Sequence, residues 1–225
     1  METFNIYFVS EVFLVYICGM NEELLNILKK VRVLYRKYGI RSVTMDDVSH
    51  ELGISKKTLY QYVRDKDELV HKVVALEIQD HQTKMVVNCT DNLNAIEQLI
   101  DIARCVALML KDYSPATDYD LKKYYPDLYI KLREIRHDFM HKFISENLMK
   151  GKKEGIFRDD FNVVMITKLN VSIIDNMFDN ENIPISEFLD PQFFYEYFMY
   201  HIRGVANAKG LSILESQQGK LEFIK

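Results

Sequence analysis

Residues 44–66, reading TMDDVSHELGISKKTLYQYVRDK, constrain this chain more than any other stretch. They divide into a short helix, a three-residue turn and a second short helix. Thr44 is placed to cap the first helix through its side-chain oxygen, and Asp46 and Asp47 fall in the first turn, where the helix dipole favours acids. Met45, Val48 and Leu52 share one buried stripe. Gly53 follows at the point where helices commonly end in a left-handed residue. Ser55 then caps a second helix predicted to run from Lys56 to Val63, which completes helix-turn-helix spacing.

At about 100° per residue, Val63 and Tyr62 flank Leu59 on the buried side of that second helix. Lys57 and Gln61 point nearly opposite, Thr58 and Tyr60 border this outer face, and Lys56 projects from the N-terminus. Lysine bonds guanine edges or phosphate, glutamine pairs bidentately with adenine, and Tyr and Thr hydroxyls reach phosphate or sugar. The outer face carries no acid, so it suits a DNA major groove. The competing reading is an ordinary solvated face of a small helical domain.

From Leu24 to Val70 the sequence resembles the TetR family of bacterial one-component repressors. The resemblance rests on an apolar first helix ending at Tyr38-Gly39, then Val43-Thr44, Leu52-Gly53-Ile54-Ser55, Thr58-Leu59-Tyr60-Gln61-Tyr62 and Asp65-Lys66-Asp67-Glu68-Leu69. It implies a homodimer that reads a palindromic operator in double-stranded DNA, with a divergent C-terminal domain that binds a small ligand. It also implies that Lys66 grips a phosphate at the edge of the site, and that the fourth helix relays ligand binding to the reading head. Lys29-Lys30 and Arg32 stand where the family often has small residues. The expected DNA contacts are Lys57 and Gln61 to bases, and Thr44, Lys56, Thr58, Tyr60 and Lys66 at the edge or on phosphates.

Composition agrees. With only 8 Gly and 4 Pro in 225 residues, long helical stretches are uninterrupted and the expected class is all-α. The net charge is −4, yet residues 21–66 carry ten Lys/Arg against six Asp/Glu, a local +4. A basic head on an acidic body suits a local DNA contact rather than general polyanion binding. Cys18, Cys89 and Cys105 are odd in number and lack CxxC spacing, so they read as reduced thiols of a cytoplasmic protein.

The expected organisation is an apolar leader at 1–20, a helix-turn-helix domain at 21–67, and a helical ligand-binding and dimerisation domain at 68–225. The leader has no Lys or Arg and carries Glu2 and Glu11. It fits neither a signal peptide nor a spanning helix. The expectation is therefore a true start at Met20 and no stable membrane association; a translated leader would be a membrane-associated or partner-bound arm.

In the C-terminal part, helices are expected at about 91–110, 118–125, 126–150 and 161–178, with a last one from Pro191 that Gly210 closes. The last two are unusually apolar. Ile173, Met177, Phe194, Phe198, Ile202 and Val205 read either as a four-helix dimer interface or as the domain's own core, and with the resemblance the interface is favoured. Candidate pocket residues for an apolar or aromatic ligand are Met109, Tyr113, Tyr124, Phe139, Phe143, Met165 and Asn170, each of which also fits plain core packing. His137 and His141 stand four apart on one helix face, but no third ligand is evident, so no metal or other cofactor is expected. The sequence has no P-loop, GxSxG or HExxH pattern, and an enzyme is not expected.

Overall fold

The computed structural model describes residues 21–88, 92–177, 183, 185–217, 219 and 221. The apolar leader, Cys18 and Cys89 lie outside the described residues. The elements are α1 (Glu22–Tyr38), α2 (Met45–Leu52), α3 (Lys56–Leu59), α4 (Lys66–Asn88), α5 (Ala95–Lys111), α6 (Pro115–Tyr124), α7 (Pro126–Lys153), α8 (Val163–Asn176), α9 (Ile185–Phe188), α10 (Pro191–Val205) and α11 (Ala208–Ser216). The fold is all-α; among the described residues the only sheet-like pairing is an isolated antiparallel bridge between Phe157 and Ala206.

Local chemistry explains most helix starts. Asn21, Thr44, Ser55, Ser114, Asn162, Asp190 and Asn207 each place a side-chain oxygen on a first-turn amide, satisfying donors that the helix leaves without partners. Asp65 does the same for Glu68 at 2.8 Å, just ahead of α4.

The chain forms two compact units, residues 1–83 with 112–135 and residues 84–111 with 136–225. The first has a core of Leu28, Val31, Leu59, Leu69 and Val70, to which Leu121, Leu128 and Tyr129 are added from α6 and α7. The second is built around Ile96, Ile100, Leu148, Phe157 and Ile202. No helix among the described residues is long and apolar enough to cross a membrane.

Two expected helix extents are corrected. The second helix of the helix-turn-helix ends at Leu59, not Val63. There the Gln61 and Tyr62 amides turn to the carbonyls three residues back, at 3.1 and 3.0 Å, and tighten the last turn. The last apolar helix does not run to Gly210. It stops at Val205, and Asn207 starts α11, spending its side-chain NH2 on the carbonyls of Gly155 and Phe157.

Gly210 is therefore an interior residue of α11, not a terminator. A Cβ built there would meet the Ile156 carbonyl oxygen at 2.2 Å, a backbone atom that cannot rotate away. Gly210→Ala is expected to cost about 1–3 kcal/mol of unfolding free energy, whereas Lys209→Ala on the exposed side should stay within about 0.5 kcal/mol. Urea unfolding followed by circular dichroism measures both.

Candidate nucleic-acid interface

The helix-turn-helix is locked at each joint. Thr44 closes a capping box: its hydroxyl accepts the Asp47 amide at 3.2 Å and donates to the Asp47 carboxylate at 2.6 Å, which also takes the Thr44 amide at 2.8 Å. Those bonds to Thr44 hold the Asp47 carboxyl below its ordinary range. Gly53 ends α2 at φ +66°, a conformation that favours glycine. Ser55 accepts the Thr58 amide at 3.0 Å, and its oxygen lies 2.8 Å from Thr58 Oγ1. Leu59 is fully buried and anchors α3 to the core. From the turn after α3, the Tyr62 hydroxyl donates to Glu23 on α1 at 2.6 Å.

Lys57, Tyr60 and Gln61 are exposed and Thr58 is half-buried. Among the described residues Lys57 and Gln61 have no side-chain partner, so α3 and the turn after it present a lysine and an amide to solvent. Thr44, Lys56, Thr58 and Lys66 are engaged. Lys56 is ion-paired with Asp46. The Thr44 hydroxyl donates to the Asp47 carboxylate, so a phosphate there would displace that bond. Lys66 donates to the Arg41 carbonyl at 3.2 Å. Its ammonium is pushed below its ordinary range by partial burial; the charge of Asp120 opposes that shift and the neighbouring charge of Arg41 adds to it.

A further set of residues fixes this head and has no local signature. Thr117 Oγ1 donates to the Tyr35 carbonyl at 2.7 Å, Ser114 Oγ to the Arg36 carbonyl at 2.8 Å, and buried Asp120 accepts the Arg41 amide at 2.8 Å. The Arg36 guanidinium bridges Glu77 at 2.7 Å and Asp112 at 3.0 Å. Gly39 sits at φ +80° with the Asp120 carboxylate 2.9 Å from where a Cβ would stand. Arg36 and Glu77 are 41 positions apart and the other partners about eighty, so no spacing rule reaches them.

The candidate pocket residues fall in both units. Tyr113 and Tyr124 belong to the first unit and the other five to the second. Tyr124 lies under the Arg41 guanidinium on the surface, Met165 is 65% exposed, Phe143 is core, Met109 and Phe139 pack against that core, and Asn170 bonds the Ile166 carbonyl. A groove of about 380 Å³ in the second unit is instead lined by His137, His141, Lys168, Val171, Ser172, Asp175 and Asn176. His137 Nδ1 lies 2.6 Å from Asp175, and among the described residues no three His, Cys, Asp or Glu side chains are placed to hold a metal ion.

The interface candidates also need correction. Met177, Phe194, Phe198, Ile202 and Val205 are each at most 7% exposed within the single chain, so they have almost nothing left to bury against a second copy. Of the six only Ile173 is open to solvent. It ends a stripe with Val164, Met165 and Leu169 on the outside of α8.

The family model for bacterial regulatory proteins of the tetR family matches residues 27–73, which takes in α1, α2, α3 and the start of α4. Residues 27–73 are thus a helix-turn-helix segment of the TetR type. An uncharacterised HTH-type transcriptional regulator of Bacillus subtilis, YvaF, is 32% identical over 92 residues, 40% of this chain and 48% of the relative. The chain thus spans about half the length of the curated relative it matches. The TetR fold extends further than the sequence likeness. A transcriptional regulator from Cytophaga hutchinsonii aligns over 83% of this chain and all of its own, with a TM-score of 0.66 at 15% identity. AibR, solved in complex with isovaleryl coenzyme A and operator DNA, aligns over 77% of this chain and 95% of its own, with a TM-score of 0.52 at 12% identity.

Because Thr44 carries both halves of the α2 cap, Thr44→Ala should cost this TetR-type head about 0.5–2 kcal/mol, and Thr44→Ser should restore most of it. Denaturant titration of the full chain is the measurement.

Proposed function

We propose that this chain is a homodimeric, cytoplasmic transcriptional repressor that reads a palindromic operator through α3 and is released by a small apolar or aromatic ligand. The observation that carries the DNA reading is the acid-free outer face of α3 and its following turn. There Lys57 and Gln61 stand exposed on a scaffold capped at Thr44 and Ser55 and anchored by buried Leu59. Lys57 and Gln61 read base edges, Thr58 and Tyr60 border them, and Thr44, Lys56 and Lys66 position the head on phosphates after exchanging their present partners.

Dimerisation through the C-terminal part is supported by the α8 stripe. Met165, Leu169 and Ile173 are 65%, 61% and 43% exposed at four-residue spacing on one side of the helix, and Val164, 59% exposed, lies further round the same helix. Burying each would contribute roughly 1.5–3 kcal/mol. A ligand-binding role for residues 68–225 draws on the likeness in fold to AibR, a protein solved in complex with isovaleryl coenzyme A and operator DNA. In this reading ligand binding shifts the two fourth helices apart and removes the register between heads.

The direct test is fluorescence anisotropy with DNA from upstream of the chain's own gene, backed by unbiased site selection. Wild type should select a palindrome, and Lys57→Ala/Gln61→Ala should lose roughly 1–3 kcal/mol of discrimination for each base pair read. Equal weak binding of both proteins to selected and random duplexes would sink the reading.

The dimer is tested separately. Leu169→Glu should sediment as a monomer at concentrations where wild type is a dimer, with a matching loss of operator affinity. A Leu169→Glu protein that remains dimeric would exclude the α8 face.

A further inference from the structure

The first unit carries a second group of cations away from the outer face of α3. The Arg41 guanidinium lies 4.4 Å from the Tyr124 ring centroid. Lys123 Nζ lies 5.4 Å from the same ring and 5.1 Å from the Tyr119 ring, and donates to the Tyr119 hydroxyl at 2.8 Å. All four side chains are exposed. Neither cation has a carboxylate within ion-pair distance among the described residues. Contact with a ring face stabilises a cation but neutralises no charge, so two positive charges without a direct ion pair share one aromatic platform. Acids in the same region are committed elsewhere: Asp120 is buried on the Arg41 amide, and Asp67 accepts the Tyr125 hydroxyl at 3.3 Å.

This cluster is continuous with the edge of the helix-turn-helix. Lys66 donates to the Arg41 carbonyl at 3.2 Å, and the charges of Arg41 and Asp47 both act on its ammonium. Asp47 in turn belongs to the Thr44 cap. A line of polar and cationic groups therefore runs from Thr44 through Lys66 and Arg41 to Lys123. Three bonds from Ser114, Thr117 and Asp120 fasten α6 to the end of α1 and the loop after it, so the platform is held in place with the head. An anion laid along this line would meet fixed positive charge at its outer end, and the anion complementary to such a row is a nucleic-acid backbone.

We propose that Arg41 and Lys123, carried on Tyr119 and Tyr124, form an auxiliary phosphate-contact patch that extends the DNA interface from the helix-turn-helix to the backbone flanking the operator. This rests on the DNA-binding reading above. The patch adds affinity and salt dependence but no base preference, because its groups are placed to meet phosphates and not base edges.

The test uses the full chain and the duplex that wild type selects, prepared with long and with trimmed flanks, by anisotropy across a salt series. Arg41→Ala/Lys123→Ala should flatten the plot of log affinity against log salt by about 1 for each side chain and leave the selected sequence unchanged. Trimming the flanks should weaken wild type and leave the double variant unaffected. Arg41→Lys/Lys123→Arg should keep the wild-type slope, which separates charge from folding, and circular dichroism checks that every variant is folded. A folded double variant with the wild-type slope and flank dependence would overturn the patch while Lys57→Ala/Gln61→Ala still abolishes selection. Wild type that selects no sequence and binds no duplex would remove the DNA reading and the patch with it.

Discussion

A single buried carboxylate governs how the reading head is assembled. Asp120, 8% exposed, accepts the Arg41 amide, and the glycine two residues earlier leaves room for it. Burying a carboxylate costs several kcal/mol unless hydrogen bonds and nearby opposite charge offset it. Here the Arg41 amide supplies the bond, and the charges of Asp120 and the half-buried Lys66 act on each other. Asp120 thereby couples three pieces: the loop between α1 and α2, the first residue of α4, and α6. The Ser114 and Thr117 hydroxyls reinforce the joint by donating to the Arg36 and Tyr35 carbonyls at the C-terminal end of α1, the second of which also accepts the Gly39 amide at 2.8 Å. The first unit thus draws its rigidity from residues 112–135 as well as from the helix-turn-helix.

What was legible in the sequence was local. A cap acts within three residues of its helix, so Thr44, Ser55 and Asp65 announce where α2, α3 and α4 begin, and Gly53 announces the turn. The outer face of α3 was equally readable, because Leu59 fixes the rotation of that helix and leaves Lys57 on the side away from the core. The length of α3 was not, since the switch to tighter bonding at Gln61 and Tyr62 depends on how Val63 and Asp65 continue into α4. Nor was the Asp120 joint, whose partners are separated by 79 positions.

The C-terminal misreadings share one cause. Periodicity marks an apolar face but does not say what covers it. On α10, Phe194, Phe198 and Ile202 lie at four-residue spacing and are covered by the unit's own α5 and α7 residues, such as Ile96, Ile100 and Leu148. On α8, Leu169 and Ile173 have the same spacing and are open to solvent. The two patterns are indistinguishable in sequence and opposite in consequence. The break between α10 and α11 was hidden for a related reason. Asn207 ends the run by bonding the carbonyls of Gly155 and Phe157, a contact that no residue near Gly210 foreshadows.

The state of the head's cations bears on how it would meet DNA. Lys56 is held by Asp46, and the Thr44 hydroxyl by Asp47, so the edge contacts are occupied by acids of the same short helix. Both sites are exposed, and an exposed ion pair contributes only about 0–1 kcal/mol. A phosphate would therefore displace Asp46 from Lys56 at small cost, whereas at Thr44 it would give up part of a cap worth about 0.5–2 kcal/mol, and the displaced acids would remain close to the DNA and repel it. Lys57 and Gln61 carry no such obligation and are ready without rearrangement. On the proposed DNA reading, base-reading groups that are preformed, beside positioning groups that must exchange partners, would make binding to an arbitrary duplex weak: its phosphates would have to displace the acids without the compensation of matched base edges. On this reading the acids at the start of α2 serve selectivity as well as the capping of a helix.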